Sequence, residues 1–72
     1  MTIKAFIVTS NTGTTINAAY AFDKEHRAKS QMRTLRMKYP DSETRCQIDE
    51  VIDIKVIDQI NKELSDQGLQ NV

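Results

Sequence analysis

Residues Ile3 to Val8 are apolar on both of the alternating sides that a strand presents: Ile3, Ala5 and Ile7 point one way, Phe6 and Val8 the other beside Lys4. A strand of this kind usually lies centrally in its sheet, with cover on both faces. The chain has 72 residues to supply that cover, and a domain of this size buries only about 60–65% of the surface its unfolded form exposes. A single cysteine, Cys46, excludes an intramolecular disulfide, and no Cys/His cluster is present to hold a structural metal. Association with another chain is therefore expected.

After the first strand, Ser10-Asn11-Thr12-Gly13-Thr14 reads as a hairpin connection, with Asn and Gly supplying positive φ. The return strand alternates Ile16, Ala18, Tyr20 and Phe22 against Asn17, Ala19 and Ala21, which predicts a β-hairpin over residues 2–22. Asp23 is a candidate N-cap for a helix over 24–39, in which Ala28, Met32, Leu35 and Tyr39 form one narrow apolar stripe before Pro40 and Asp41-Ser42 end it. A period of two returns from Arg45 to Ile54, with Cys46, Ile48, Ile52 and Ile54 on one side, interrupted by Glu50. A β-bulge, a salt bridge at the sheet rim or an edge-blocking charge would each account for Glu50. Val56, Ile57, Ile60 and Leu64 then recur at helical spacing, and Gly68-Leu69 fits a Schellman stop, so a second helix spans about 54–67. A right-handed crossover through the first helix sets the third strand parallel to the second. Beside the first strand it gives the order 2-1-3 with antiparallel neighbours, so the doubly apolar strand is central. The expected fold is a single α+β domain over residues 1–72, ββαβα, with one sheet face under the long helix and the other covered by the second helix or by a partner.

Formal net charge is zero, yet residues 1–40 carry seven bases and two acids, net +5, and residues 41–72 carry three bases and eight acids, net −5. The basic excess is densest in His26–Lys38, which holds five of the ten Lys and Arg residues, the only His and no acid. On a helical projection His26, Lys29, Arg33 and Arg36 form a continuous cationic line beside the apolar stripe, with Met37 nearly opposite the core. One account is the solvated side of an ordinary helix; the other is a binding surface. The lack of acids after Glu25 favours the second, because surface helices normally mix signs at i,i+4. Asp49 and Asp53, of this chain or of a second copy, are the candidate acidic counterpart.

Catalytic chemistry is sparsely provided. GxxxxGK[ST], HExxH, CxxC and GxSxG are all missing. Cys46 reads as a small inward-facing hydrophobe, His26 as an exposed side chain, and the carboxylates lack a loop that would gather them around a metal. The expectation is a non-enzymatic protein without metal or cofactor. No apolar run nears the roughly 20 residues of a membrane span, and no charged-then-apolar leader opens the sequence, which reads as cytoplasmic. Two functions fit: binding of a protein partner or of itself as a dimer, and nucleic-acid binding with Lys29, Arg33 and Arg36 on phosphates. Without aromatic residues along the stripe, a base-stacking platform is disfavoured.

In size and layout, the hairpin "IKAFIVTSNTGTTINAAYAF" and the basic helix followed by "KYPDSETRCQIDEV" resemble small accessory proteins of bacteriophages and mobile elements. The resemblance implies a stoichiometric modulator or inhibitor of a host protein complex, and transfers no particular residue.

Overall fold

A computed structural model describes residues 1–70 of the protein. The doubly apolar segment lies within β1 (Ile3–Thr12), which is flanked by β2 (Thr15–Phe22) and β3 (Glu43–Val51) in one antiparallel sheet of order β2-β1-β3. Helix α1 (Glu25–Lys38) joins β2 to β3, and α2 (Ile54–Asp66) follows β3. Each face of β1 has its own core. Phe6 and Val8 pack with Ala18 of β2 and with Ala28 and Leu35 of α1, with Tyr20, Phe22, Met32 and Tyr39 around them. On the reverse face Ala5 packs with Ala21 and Ile57, bordered by Ile7, Val51 and Ile60. The second helix therefore covers the face that the long helix leaves, and the layers are α1, sheet, α2.

The hairpin is tighter than the composition of its loop suggests. The strands run on to Thr12 and Thr15, only Gly13 of the connection has positive φ (+61°), and Asn11 does not. The register shifts between Ser10, opposite Ala18, and Asn11, opposite Ile16, leaving Asn17 as the extra residue of a β-bulge. The slip moves Ile16 off the side it would share with Ala18, Tyr20 and Phe22, and Ile16 is exposed. Asn17 Nδ2 donates to Thr12 Oγ1 at 2.7 Å across the bulge.

Helix α1 starts one residue later than Asp23 would cap it. Its N-cap is Lys24, which makes no side-chain cap bond, and the first-turn Glu25 pairs with Lys29 at 2.9 Å. Its other end closes where Tyr39 N–H donates to Leu35 O, and the Ser42 hydroxyl and N–H both donate to Tyr39 O. The third strand ends at Val51 and not at Ile54, because Asp53 N-caps α2 by accepting from Lys55 N–H at 2.9 Å. The same helix ends in a Schellman arrangement: Leu69 N–H reaches Leu64 O, Gly68 N–H reaches Ser65 O, and Gly68 takes φ +79°.

Ser10 is fully buried on the α1 face, opposite Thr44, and both hydroxyl oxygens lack a hydrogen-bond partner. Removing an unsatisfied buried hydroxyl relieves its desolvation cost. Ser10→Ala is therefore expected to leave stability unchanged or to raise it by up to about 1 kcal/mol in urea unfolding. A loss above that amount would mean that the hydroxyl is bonded.

Candidate functional site

The cationic line takes the position its spacing implies. His26, Lys29, Arg33, Arg36 and Met37 are all exposed while Ala28 and Leu35 are buried beneath them. Lys29, Arg33 and Arg36 border, with Met32, a shallow recess of about 400 Å³. Lys29 is partly neutralised by Glu25, whose carboxyl is held below its usual range by the Lys29 hydrogen bond and charge. Arg27, on the other flank of α1, meets Phe22 and Asp23 of the β2 side around a separate recess that also includes Ile54, Ile57, Asp58 and Asn61. The Lys29–Arg36 flank is thus the one that overhangs β3.

The acidic candidates Asp49 and Asp53 do not offset that flank. Asp49 lies opposite Ala5, on the sheet face turned away from α1, and accepts from Gln47 Nε2 at 3.1 Å. Asp53 is occupied as the α2 N-cap. Among the described residues the ion pairs are local: Lys29 with Glu25, and Arg45 with Glu43 at 2.7 Å.

The two outer strands meet solvent differently. On β2, Ala21 N–H donates to Asn61 Oδ1 at 2.8 Å and Asn61 Nδ2 donates to Ala21 O at 2.9 Å, so one side-chain amide from α2 replaces a neighbouring strand. Ala19 N–H donates to Leu69 O, the Tyr20 hydroxyl donates to Gln70 O, and Gln70 Nε2 donates to Asn61 Oδ1. The β2 edge is therefore covered over Ala19–Ala21. No described residue closes the outer edge of β3. That strand pairs with β1 in unbroken register from Ile3↔Val51 to Asn11↔Glu43, without the bulge that would turn Glu50 outward; Glu50 stays on the α1 face, opposite Lys4 at the rim. A nine-residue strand lacking Pro and bulge leaves its outer backbone groups available for pairing, with the charges of Glu43, Arg45, Asp49 and Glu50 to select which strand is accepted.

An edge position also explains why Cys46 and Ile48 are exposed although their alternation points them toward α1. Helix α1 packs chiefly on β1 and reaches β3 without covering these two side chains, so Ile48 is 57% exposed and Cys46 is open to solvent. Ile52 and Ile54 continue this exposed apolar run into α2. Alternation alone hid the feature, because it reports which side a residue faces and not whether anything lies there. The one sequence signal of it was Glu50, a charge on the apolar side.

Partial desolvation on its inner side, and then the Glu25 carboxylate, push the Cys46 thiol up, away from the thiolate that a nucleophile requires. No group of three or more His, Cys, Asp or Glu that could hold a metal ion occurs among the described residues, and no helix there is long and apolar enough to cross a membrane. Comparison with protein-family models, curated proteins and solved structures gives no match.

Proposed function

We propose that the protein is a non-enzymatic binding module that modulates or inhibits a host protein complex by docking along β3, with the cationic flank of α1 drawing in acidic partners. The observation that supports this reading is the unpaired outer edge of β3 with Ile48 half exposed upon it. Main-chain bonds to an added strand supply affinity, and alternate side chains such as Cys46 and Ile48 supply selectivity. Lys29, Arg33 and Arg36 beside that edge raise the encounter rate with negative surfaces.

A second reading is favoured by one observation, the recess in which Lys29, Arg33 and Arg36 converge: nucleic-acid binding through phosphates. Three or four phosphate contacts give weak binding that falls steeply with salt.

Affinity capture from lysate of the cells that encode the protein, with and without nuclease, separates the two. On the first reading a protein partner is retained after nuclease and at moderate salt, and Ile48→Lys, which adds a charge to the edge strand, removes it. On the second, nuclease releases the captured material, Ile48→Lys has no effect, and combining Lys29→Ala with Arg33→Ala abolishes capture. That second pattern would overturn the protein-binding reading.

A further inference from the structure

We propose that the open edge of β3 pairs with β3 of a second copy of this chain, antiparallel and centred on Gln47, to make one continuous six-stranded sheet. The inference rests on reading β3 as the docking edge and names the occupant of that edge in the free protein, which a host partner docking there would displace.

The hydrogen bonds on the far side of the sheet show which β3 residues point their main chain outward. On β2, Ala19 and Ala21 direct their backbone groups away from β1, so Ala18, Tyr20 and Phe22 bond to their β1 partners Ser10, Val8 and Phe6. Backbone direction alternates along an antiparallel strand. Ala5, Ile7 and Thr9 of β1 therefore bond to Asp49, Gln47 and Arg45 of β3. That leaves the N–H and C=O groups of Thr44, Cys46, Ile48 and Glu50 pointing outward, a regular ladder of donors and acceptors with no partner among the described residues.

A twofold axis normal to the sheet is the operation that sets two identical edges side by side and antiparallel with matching faces, and it allows only registers centred on a residue. Centred on Gln47, the register places Cys46 opposite Ile48 of the second copy and Thr44 opposite Glu50, all with outward backbone groups, so each pair exchanges hydrogen bonds. On the reverse face Arg45 meets Asp49 of the second copy, and by symmetry this pair forms twice. Neighbouring registers lose that match. Centred on Cys46, Glu43 would meet Asp49; centred on Ile48, the Cys46 thiol would meet the Glu50 carboxylate and Arg45 would meet Val51. Centring on Arg45 or on Asp49 would oppose identical charges. Like charges directly opposite each other are unfavourable and unlike charges are favourable. Three edge-blocking devices common in monomers, a bulge, a proline and a covering segment, are missing from β3 among the described residues, whereas β2 has such a cover in Asn61 and Leu69. The one device β3 does carry is charge, Glu50 on the α1 face included, and centring on Gln47 sets Glu50 opposite the neutral Thr44 and not opposite another acid.

The same twofold axis puts both α1 helices on one side of the sheet, with their Lys29, Arg33 and Arg36 flanks toward each other. Salt screens this repulsion and the Arg45–Asp49 attraction alike, so ionic strength does not test the register. Charge exchange does. In sedimentation equilibrium of the full chain, wild type is expected to dimerise, and Arg45→Asp or Asp49→Arg alone is expected to raise the dimer dissociation constant roughly 10- to 100-fold. An equimolar mixture of the two single variants is expected to recover dimer, since both cross-strand pairs are then complementary, as is the variant carrying both substitutions. Both positions are at the surface of an outer strand, and the recovered mixture shows that each variant is folded. A monomeric wild type would overturn self-pairing while leaving the edge open to a different protein, which the capture experiment with Ile48→Lys detects separately. A wild-type dimer indifferent to both reversals, or single variants that fail to recover on mixing, would overturn the register.

Discussion

Leu35→Ala is expected to cost about 2–5 kcal/mol of folding free energy. Leu35 is fully buried and is the largest side chain so enclosed. It docks α1 against Phe6, Val8 and Ala18, the core cluster on that side of the sheet. Two neighbours, Ala18 and Ala28, are already minimal and cannot swing in to fill the space, while Met32 and Tyr39 at the border can move only in part. A domain of this length has a total stability of roughly 4–10 kcal/mol, and no disulfide supplements it, because the single cysteine is free. Urea unfolding followed by far-UV circular dichroism would measure the loss. Met37→Ala on the same helix is the control, expected within about 0.5 kcal/mol of wild type, since Met37 is exposed and opposite the core. Equal effects at the two positions would mean that α1 does not dock as described.

Asn61→Asp is expected to cost about 1–3 kcal/mol although it barely changes the side chain's shape. The Asn61 amide both accepts from Ala21 N–H and donates to Ala21 O, and it accepts a third bond from Gln70 Nε2. An ionised carboxylate can still accept but cannot donate, so it sets an oxygen against Ala21 O in a partly buried place. The main-chain groups of Ala21 have no water-exposed alternative of equal quality. The sign of the pH dependence follows. The substituted carboxyl is disfavoured in its charged form, so its folded pKa lies above its unfolded one. The deficit relative to wild type should thus be full at neutral pH and narrow as the carboxyl protonates toward about pH 4. Urea titrations at the two pH values, with amide hydrogen exchange at Ala21, would check both claims. An Asp variant as stable as wild type at neutral pH would show that the β2 edge is not closed by this amide.

Much of the architecture was written in short-range pattern. Apolar residues on both sides of Ile3–Val8 require a central strand, the spacing of Ala28, Met32, Leu35 and Tyr39 requires a helix lying on it, and right-handed crossover then leaves order 2-1-3. The Schellman ending at Gly68 was legible because one residue type alone takes positive φ readily, and the bond from Leu69 to Leu64 is local. The cationic line on α1 was legible for the same reason, as helical periodicity determines relative angle without reference to anything outside the helix.

What the tertiary structure decided was what stands opposite each face. Ile16 leaves the Ala18 side because of a bulge whose cause is the pairing of two strands and not the composition of either. Asp49 and Asp53, close in sequence and alike in charge, part company because one is held in a strand facing away from α1 and the other stops that strand by starting a helix. Cys46 and Ile48 alternate as inward residues should, yet lie open, since alternation specifies a side of the sheet whereas burial needs a neighbour on that side. Closure of one sheet edge by Asn61 and exposure of the other depend on contacts 40 residues apart in the chain. Local sequence determines dihedral preference and periodicity. Which backbone groups are left without a partner, and so where a second chain can bind, is determined only when distant segments have taken their places.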